Sequence, residues 1–224
     1  MRKVMALAIV FITFLVSAPK GLGKNGDIVE KFLSRGNEQL NSYVAVRSIR
    51  AHNLKTNWSA TMTVETTLRN SNKLSYVVIE KGGSDFIQGK IRKGLNQEVE
   101  ETAKLHPERV DFTENNYMIR ESEEQFPDLV QLYTKPLRKE SMLIDGSLFV
   151  TETGDLVRVE GRLVKNPSFW TKDVDIVKVY DRINGISVPV FLESTAQVRI
   201  VGTSTLTITY SYLSVNGLPI TADK

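Results

Sequence analysis

An unbroken apolar run opens the chain, Val4 to Val16 with Thr13 as its one polar member, preceded by Arg2 and Lys3 and followed by small residues at Ser17, Ala18, Gly21 and Gly23. A positive start, an apolar stretch shorter than a bilayer is thick and small residues behind it predict a secretory signal peptide over residues 1–23 and one domain over 24–224. From Asp27 the pattern changes to a helical period. Ile28, Val29, Phe32, Leu33, Leu40 and Tyr43 recur on one face, and Asp27 with Glu30 makes a capping-box-like start, which predicts a helix from Ile28 to Asn41. Gly36 weakens it by about 1 kcal/mol relative to Ala. Alternation then takes over in Tyr43 to His52, Trp58 to Leu68 and Leu74 to Glu80, which reads as strands, with a turn at Asn70-Ser71-Asn72.

Gly82-Gly83 ends that run, and Ser84 or Asp85 can cap a second helix in which Ile87, Ile91, Leu95, Val99 and Ala103 recur every fourth residue up to Pro107. Beyond Val110 there is no further helical period. Short alternating runs follow one another, with turn signals at Glu114-Asn115-Asn116, Asp145-Gly146, Thr153-Gly154-Asp155 and Asn184-Gly185, and Gly202 marks a bulge or turn. In Leu156 to Val164 the apolar Val157, Val159 and Leu163 share one parity, and near the end Leu206, Ile208, Tyr210 and Tyr212 do the same. The expected fold class is α+β: a large antiparallel sheet with one apolar face. Two modest helices cannot tile so many strands, so the sheet should curl into an unclosed β-barrel whose concave face the helices cover or plug, leaving an apolar hollow.

Composition narrows the chemistry. With no Cys, disulfides, thiolate metal sites and a lipid-bearing cysteine are excluded, and two His supply no zinc site. The formal charge of +3 comes from Arg2, Lys3 and Lys20 of the leader, so it says nothing about nucleic acid. His52 and His106 read as structural residues. Asp173 and Asp175, beside Lys172 and Lys178, read as a solvated strand face, as do the acidic runs Glu98 to Glu101 and Glu121 to Glu124. No nucleophile elbow, phosphate loop or dinucleotide fingerprint is present, so no catalytic residue, metal or cofactor is assigned and an enzyme is the least favoured class. By strand parity the candidate wall of the hollow is Phe149, Val157, Val159, Leu206 and Ile208, with Phe169 and Trp170 at its rim.

Several segments carry a family likeness: Tyr133-Thr-Lys-Pro136 with Arg138-Lys139, Leu143-Ile-Asp-Gly146, Leu156-Val-Arg-Val-Glu-Gly161, Asn166-Pro-Ser-Phe-Trp170, Asp175-Ile-Val-Lys-Val-Tyr180 with Arg182, Ser194-Thr-Ala-Gln-Val-Arg199 and Tyr210-Ser-Tyr212, together with Gly83-Ser84-Asp-Phe-Ile87. Over about residues 75 to 215 the chain resembles the outer-membrane lipoprotein-sorting-like proteins of the LolA/LolB-like superfamily. The resemblance implies a half-barrel plugged by helices and a periplasmic carrier of lipoprotein acyl chains or another long apolar ligand. No counterpart of the carrier's cavity arginine or of the receptor's protruding loop is assigned. The rival expectation is an envelope sensor or scaffold that grips a protein partner on the same curved sheet without lipid.

Overall fold

The computed structural model describes residues 27–35, 39–104, 110–169 and 171–220. The signal peptide over 1–23, Gly36, His106 with Pro107, and Trp170 lie outside the described residues. The chain runs α1 (Asp27–Ser34), β1 (Tyr43–Asn53), β2 (Trp58–Arg69), β3 (Lys73–Gly83), α2 (Asp85–Lys104), β4 (Tyr117–Phe126), β5 (Leu129–Pro136), β6 (Ile144–Val150), β7 (Leu156–Leu163), β8 (Thr171–Ile183), β9 (Ile186–Val198), β10 (Gly202–Val215) and the short β11 (Leu218–Pro219). The strands form one antiparallel 11-stranded sheet in the order β3-β2-β1-β10-β9-β8-β7-β6-β5-β4, with β11 on β10. β3 and β4 are both edges, so the barrel is unclosed, as the alternating pattern and the shortage of helices led us to expect. Among the described residues no helix is long and apolar enough to cross a membrane.

Two meanders build the sheet. β1 to β3 form the first, α2 then carries the chain to the far edge at β4, and the second meander returns to lay β10 against β1. Turn chemistry sets the hairpins: Asn70 and Ser71 at φ 51° and 61°, and Asn184-Gly185 at 51° and 81°, adopt the left-handed pairs that match strand twist. Each helix covers its own half of the apolar face. α1 buries Ile28, Val29, Phe32 and Leu33 against β4 to β9, and α2 buries Ile87, Ile91 and Leu95 against β1, β2, β9 and β10. A third cluster, around Tyr43, Leu68, Val188 and Tyr212, fills one end.

The structure corrects several expectations. α1 stops at Ser34, seven residues short of Asn41, and the Arg35 side chain then ties the chain to Asp155 (2.7 Å) and to the Thr153 carbonyl at the β6–β7 turn. Asp145-Gly146 is not a hairpin but lies inside β6, where Gly146 faces Gly161 of β7. A Cβ on Gly146 would sit 2.0 Å from the Glu160 carbonyl oxygen, so the two backbones touch where other residues would carry side chains. We expect Gly146→Ala to lose about 2–3 kcal/mol of stability by prising β6 from β7. Urea denaturation giving a loss under about 0.5 kcal/mol would show that the strands separate freely there.

Candidate functional site

The inner face carries one long cross-strand row. Leu148, Val159, Lys178, Leu192, Ile208, Ile49 and Met62 follow one another by direct pairing across β6, β7, β8, β9, β10, β1 and β2. Six of these seven are apolar, and the exception, Lys178, is fully buried. Burial pulls its ammonium down to about 7, against a smaller opposing pull from Glu98. Its Nζ lies 5.8 Å from the centre of the Tyr180 ring.

α2 brings the carboxylate to this row. Ser84 starts the helix, its Oγ accepting from Ile87 N at 3.5 Å, and Ile87, Ile91 and Leu95 then point at the sheet. A helix turns about 100° per residue, so a strict four-residue stripe overshoots each full turn by about 40°. The drift turns Ala103 out to solvent and leaves Val99 half-buried, while Glu98 and Thr102 come onto the buried face. Glu98, read as a solvated residue from its acidic neighbours, is therefore 4% exposed. Arg47, inward on β1 between Ala45 and Ile49, meets it with Nη1 at 3.0 Å from Oε1 and 2.9 Å from Oε2. Arg47 Nε donates to Thr66 Oγ1 at 2.7 Å, and the guanidinium lies 5.7 Å from the centre of the Tyr210 ring. Burial is the largest single influence and opposes the Arg47 charge, but Glu98 together with Tyr43 and Tyr210 more than offsets it and keeps the guanidinium protonated.

Arg47, Glu98, Lys178, Tyr180 and Tyr210 form a polar seam between the apolar clusters. Burial raises the hydroxyl of Tyr210 to about 12 and that of Tyr180 higher still, so both rings stay neutral donors at ordinary pH. Arg47 Nη2, Thr102 Oγ1 and Tyr180 Oη are buried with no hydrogen-bond partner among the described residues. A cleft of about 310 Å³ runs between α2 and the opposite wall, lined by Gly94, Glu98 and Glu101 on one side and Met142, Leu163 and Lys165 on the other. It reaches the seam at Glu98.

The parity-based wall residues separate. Leu206 and Ile208 lie together under α2, and Val159 lies in the α1 half of the same inner face. Phe149 faces outward, edge-on to Phe126 at 5.2 Å and beneath Arg158, so it lines no interior wall. A bulge pairs Leu156 with Val150, puts Leu156 into the core and leaves Val157 half-buried outside the apolar clusters. Phe169 is 74% exposed with Arg199 4.9 Å from its ring centre. Lys178 is buried rather than part of a solvated face, whereas Asp173 and Asp175 do lie outside, both on Arg162 at 3.7 and 2.8 Å. The expected open hollow is filled by α2 and α1 side chains, apart from the mixed cleft. The residues that parity reasoning missed, Arg47 and Lys178, carried a readable signal: each is a cation at the apolar parity of its strand.

No protein-family model matches the chain, and no curated protein does. Among solved structures the chain is similar to a LolA superfamily protein from Nitrosomonas europaea, at 11% identity over 82% of this chain and 90% of that chain, with a TM-score of 0.42.

Proposed function

We propose that the protein is an exported, periplasmic carrier that holds acyl chains of a lipoprotein or another long apolar ligand in the trough that α2 now occupies. The apolar row spanning seven strands, its β9, β10, β1 and β2 members packed with the amphipathic α2, supports this reading. The energetics are compatible with exchange. Ile87, Ile91 and Leu95 together contribute roughly 5–9 kcal/mol of burial, and a chain of about 15 methylenes contributes on the order of 10 kcal/mol before ordering costs. A guest can thus replace the helix and still be released. The leader-like first segment supports export.

One observation favours the rival sensor or scaffold: the trough is already filled by side chains of the protein itself. Displacement of α2 separates the two readings. The Tyr76 hydroxyl donates to Asn96 Oδ1 at 2.6 Å, which marks where β3 and α2 meet at the surface. In a chain without Cys, Tyr76→Cys with Asn96→Cys can be bridged by a short bis-maleimide. For a carrier, bridging should abolish uptake of a fluorescent fatty acyl probe that the unbridged variant still binds. Equal uptake before and after bridging would remove α2 displacement from the mechanism.

A further inference from the structure

Resting on the carrier reading, we propose that the buried seam is a head-group site: Arg47, Lys178 and the Tyr180 hydroxyl receive the anionic head of an alkyl ligand in place of the Glu98 carboxylate. The unpaired donors define the chemistry of the guest. Native proteins pair almost every buried polar atom, yet Arg47 Nη2 and Tyr180 Oη stand buried without partners among the described residues. Nη2 can only donate and a neutral phenol donates readily, so the missing group is an acceptor. The charges agree. Glu98 is the carboxylate whose charge acts on both Arg47 and Lys178, while Asp111, the other buried carboxylate among the described residues, acts on Tyr117 and Tyr180. A lysine set in an otherwise apolar row is a destabilising choice for a wall that only packs hydrocarbon.

Access is provided by the cleft, whose wall includes Glu98 itself. An incoming carboxylate or phosphate replaces one oxyanion by another on the Arg47 fork, so the cations are never left bare during the exchange. Glu98 thereby acts as a built-in stand-in for the guest's head, and its release frees the middle of α2. A neutral head leaves the donors unpaired and a cationic one meets like charge, so both are disfavoured.

Isothermal titration of the full chain with dodecanoate, dodecyl phosphate and neutral monododecanoylglycerol tests this, with the folded state of each variant checked by circular dichroism. The two anions should bind about tenfold or more tighter than the glycerol ester, the reach of a charge-assisted hydrogen bond. Lys178→Met should remove most of that preference by weakening the two anions, and Glu98→Gln should tighten the anions severalfold by removing the competitor. The ratio of dodecanoate to dodecyl phosphate distinguishes a fatty acid carboxylate from a lipid phosphate. Equal affinity for all three probes would overturn the head-group site and leave the carrier reading standing. Binding of none would overturn both.

Discussion

Arg47→Met should destabilise the protein by about 3–5 kcal/mol, which places one surface-invisible ion pair on a level with the largest core deletions. Arg47 and the Glu98 it holds are 1% and 3% exposed at their side chains. Removing the guanidinium strands a carboxylate among apolar neighbours, and the chain must then protonate it or push α2 away from the sheet. By comparison Leu95→Ala, from the same face of α2, should cost about 2–5 kcal/mol through a cavity alone. The double variant Arg47→Met with Glu98→Leu is the informative control, because an apolar pair of similar volume removes both desolvation penalties and should recover most of the loss. Urea denaturation of the four-member cycle gives the coupling energy directly. A loss below about 1 kcal/mol for Arg47→Met would mean that the pair behaves as a solvated bridge and that α2 is held by its apolar stripe alone.

The sheet was legible because strand alternation reports burial directly. In β2 and β10 the residues of one parity are the ones the structure buries, from Met62 to Leu68 and from Leu206 to Tyr212 except for Tyr210, which is only partly buried. What alternation lacks is a phase reference across irregularities. One bulge at the start of β7 exchanged Leu156 for Val157, and in β6 the odd position of Phe149 is buried on the outside by Phe126 and Arg158, so burial of a large ring there did not mean interior. Asp145-Gly146 misled for a different reason. A glycine needed for close backbone approach has the same letters as one needed for a turn. The pairing of β10 with β1, which sets Arg47 beside Tyr210, joins residues more than a hundred positions apart and leaves no local trace. Local charge composition concealed the candidate site. Glu98 sits in an acidic run, and Lys178 lies near two aspartates, so local composition suggested solvent where helical drift and strand parity both pointed inward.

Lys178→Met should stabilise the protein near pH 6 and abolish a rise in stability that the native chain shows between about pH 7 and 10. In the folded state burial lowers the ammonium to about 7, whereas in the unfolded chain it keeps its ordinary value of 10.5. Between those values the unfolded chain holds a proton that the folded chain lacks, so stability increases with pH, by at most about 1.4 kcal/mol per unit. Below about 7 the folded state must carry a buried ammonium and the penalty is complete. The groups around Lys178 do not mask this. Tyr180 and Tyr210 are raised by burial, so their linkage acts above the ordinary phenol range and lowers stability only there, while Glu98 is bound by the Arg47 guanidinium. Removing the penalty should be worth up to ~5 kcal/mol at pH 6, a rise of roughly 10–20 °C in Tm for a chain of this size. The same linkage ties stability to the head-group site. An anion placed beside Lys178 restores its affinity for a proton, so dodecanoate binding at pH 8 should take up close to one proton, read from the dependence of titration heats on the ionisation enthalpy of the buffer. Unaltered stability at pH 6 together with an unchanged slope from pH 7 to 10 would mean that Lys178 carries its charge in the folded state without penalty, and that the row it interrupts needs no guest to complete it.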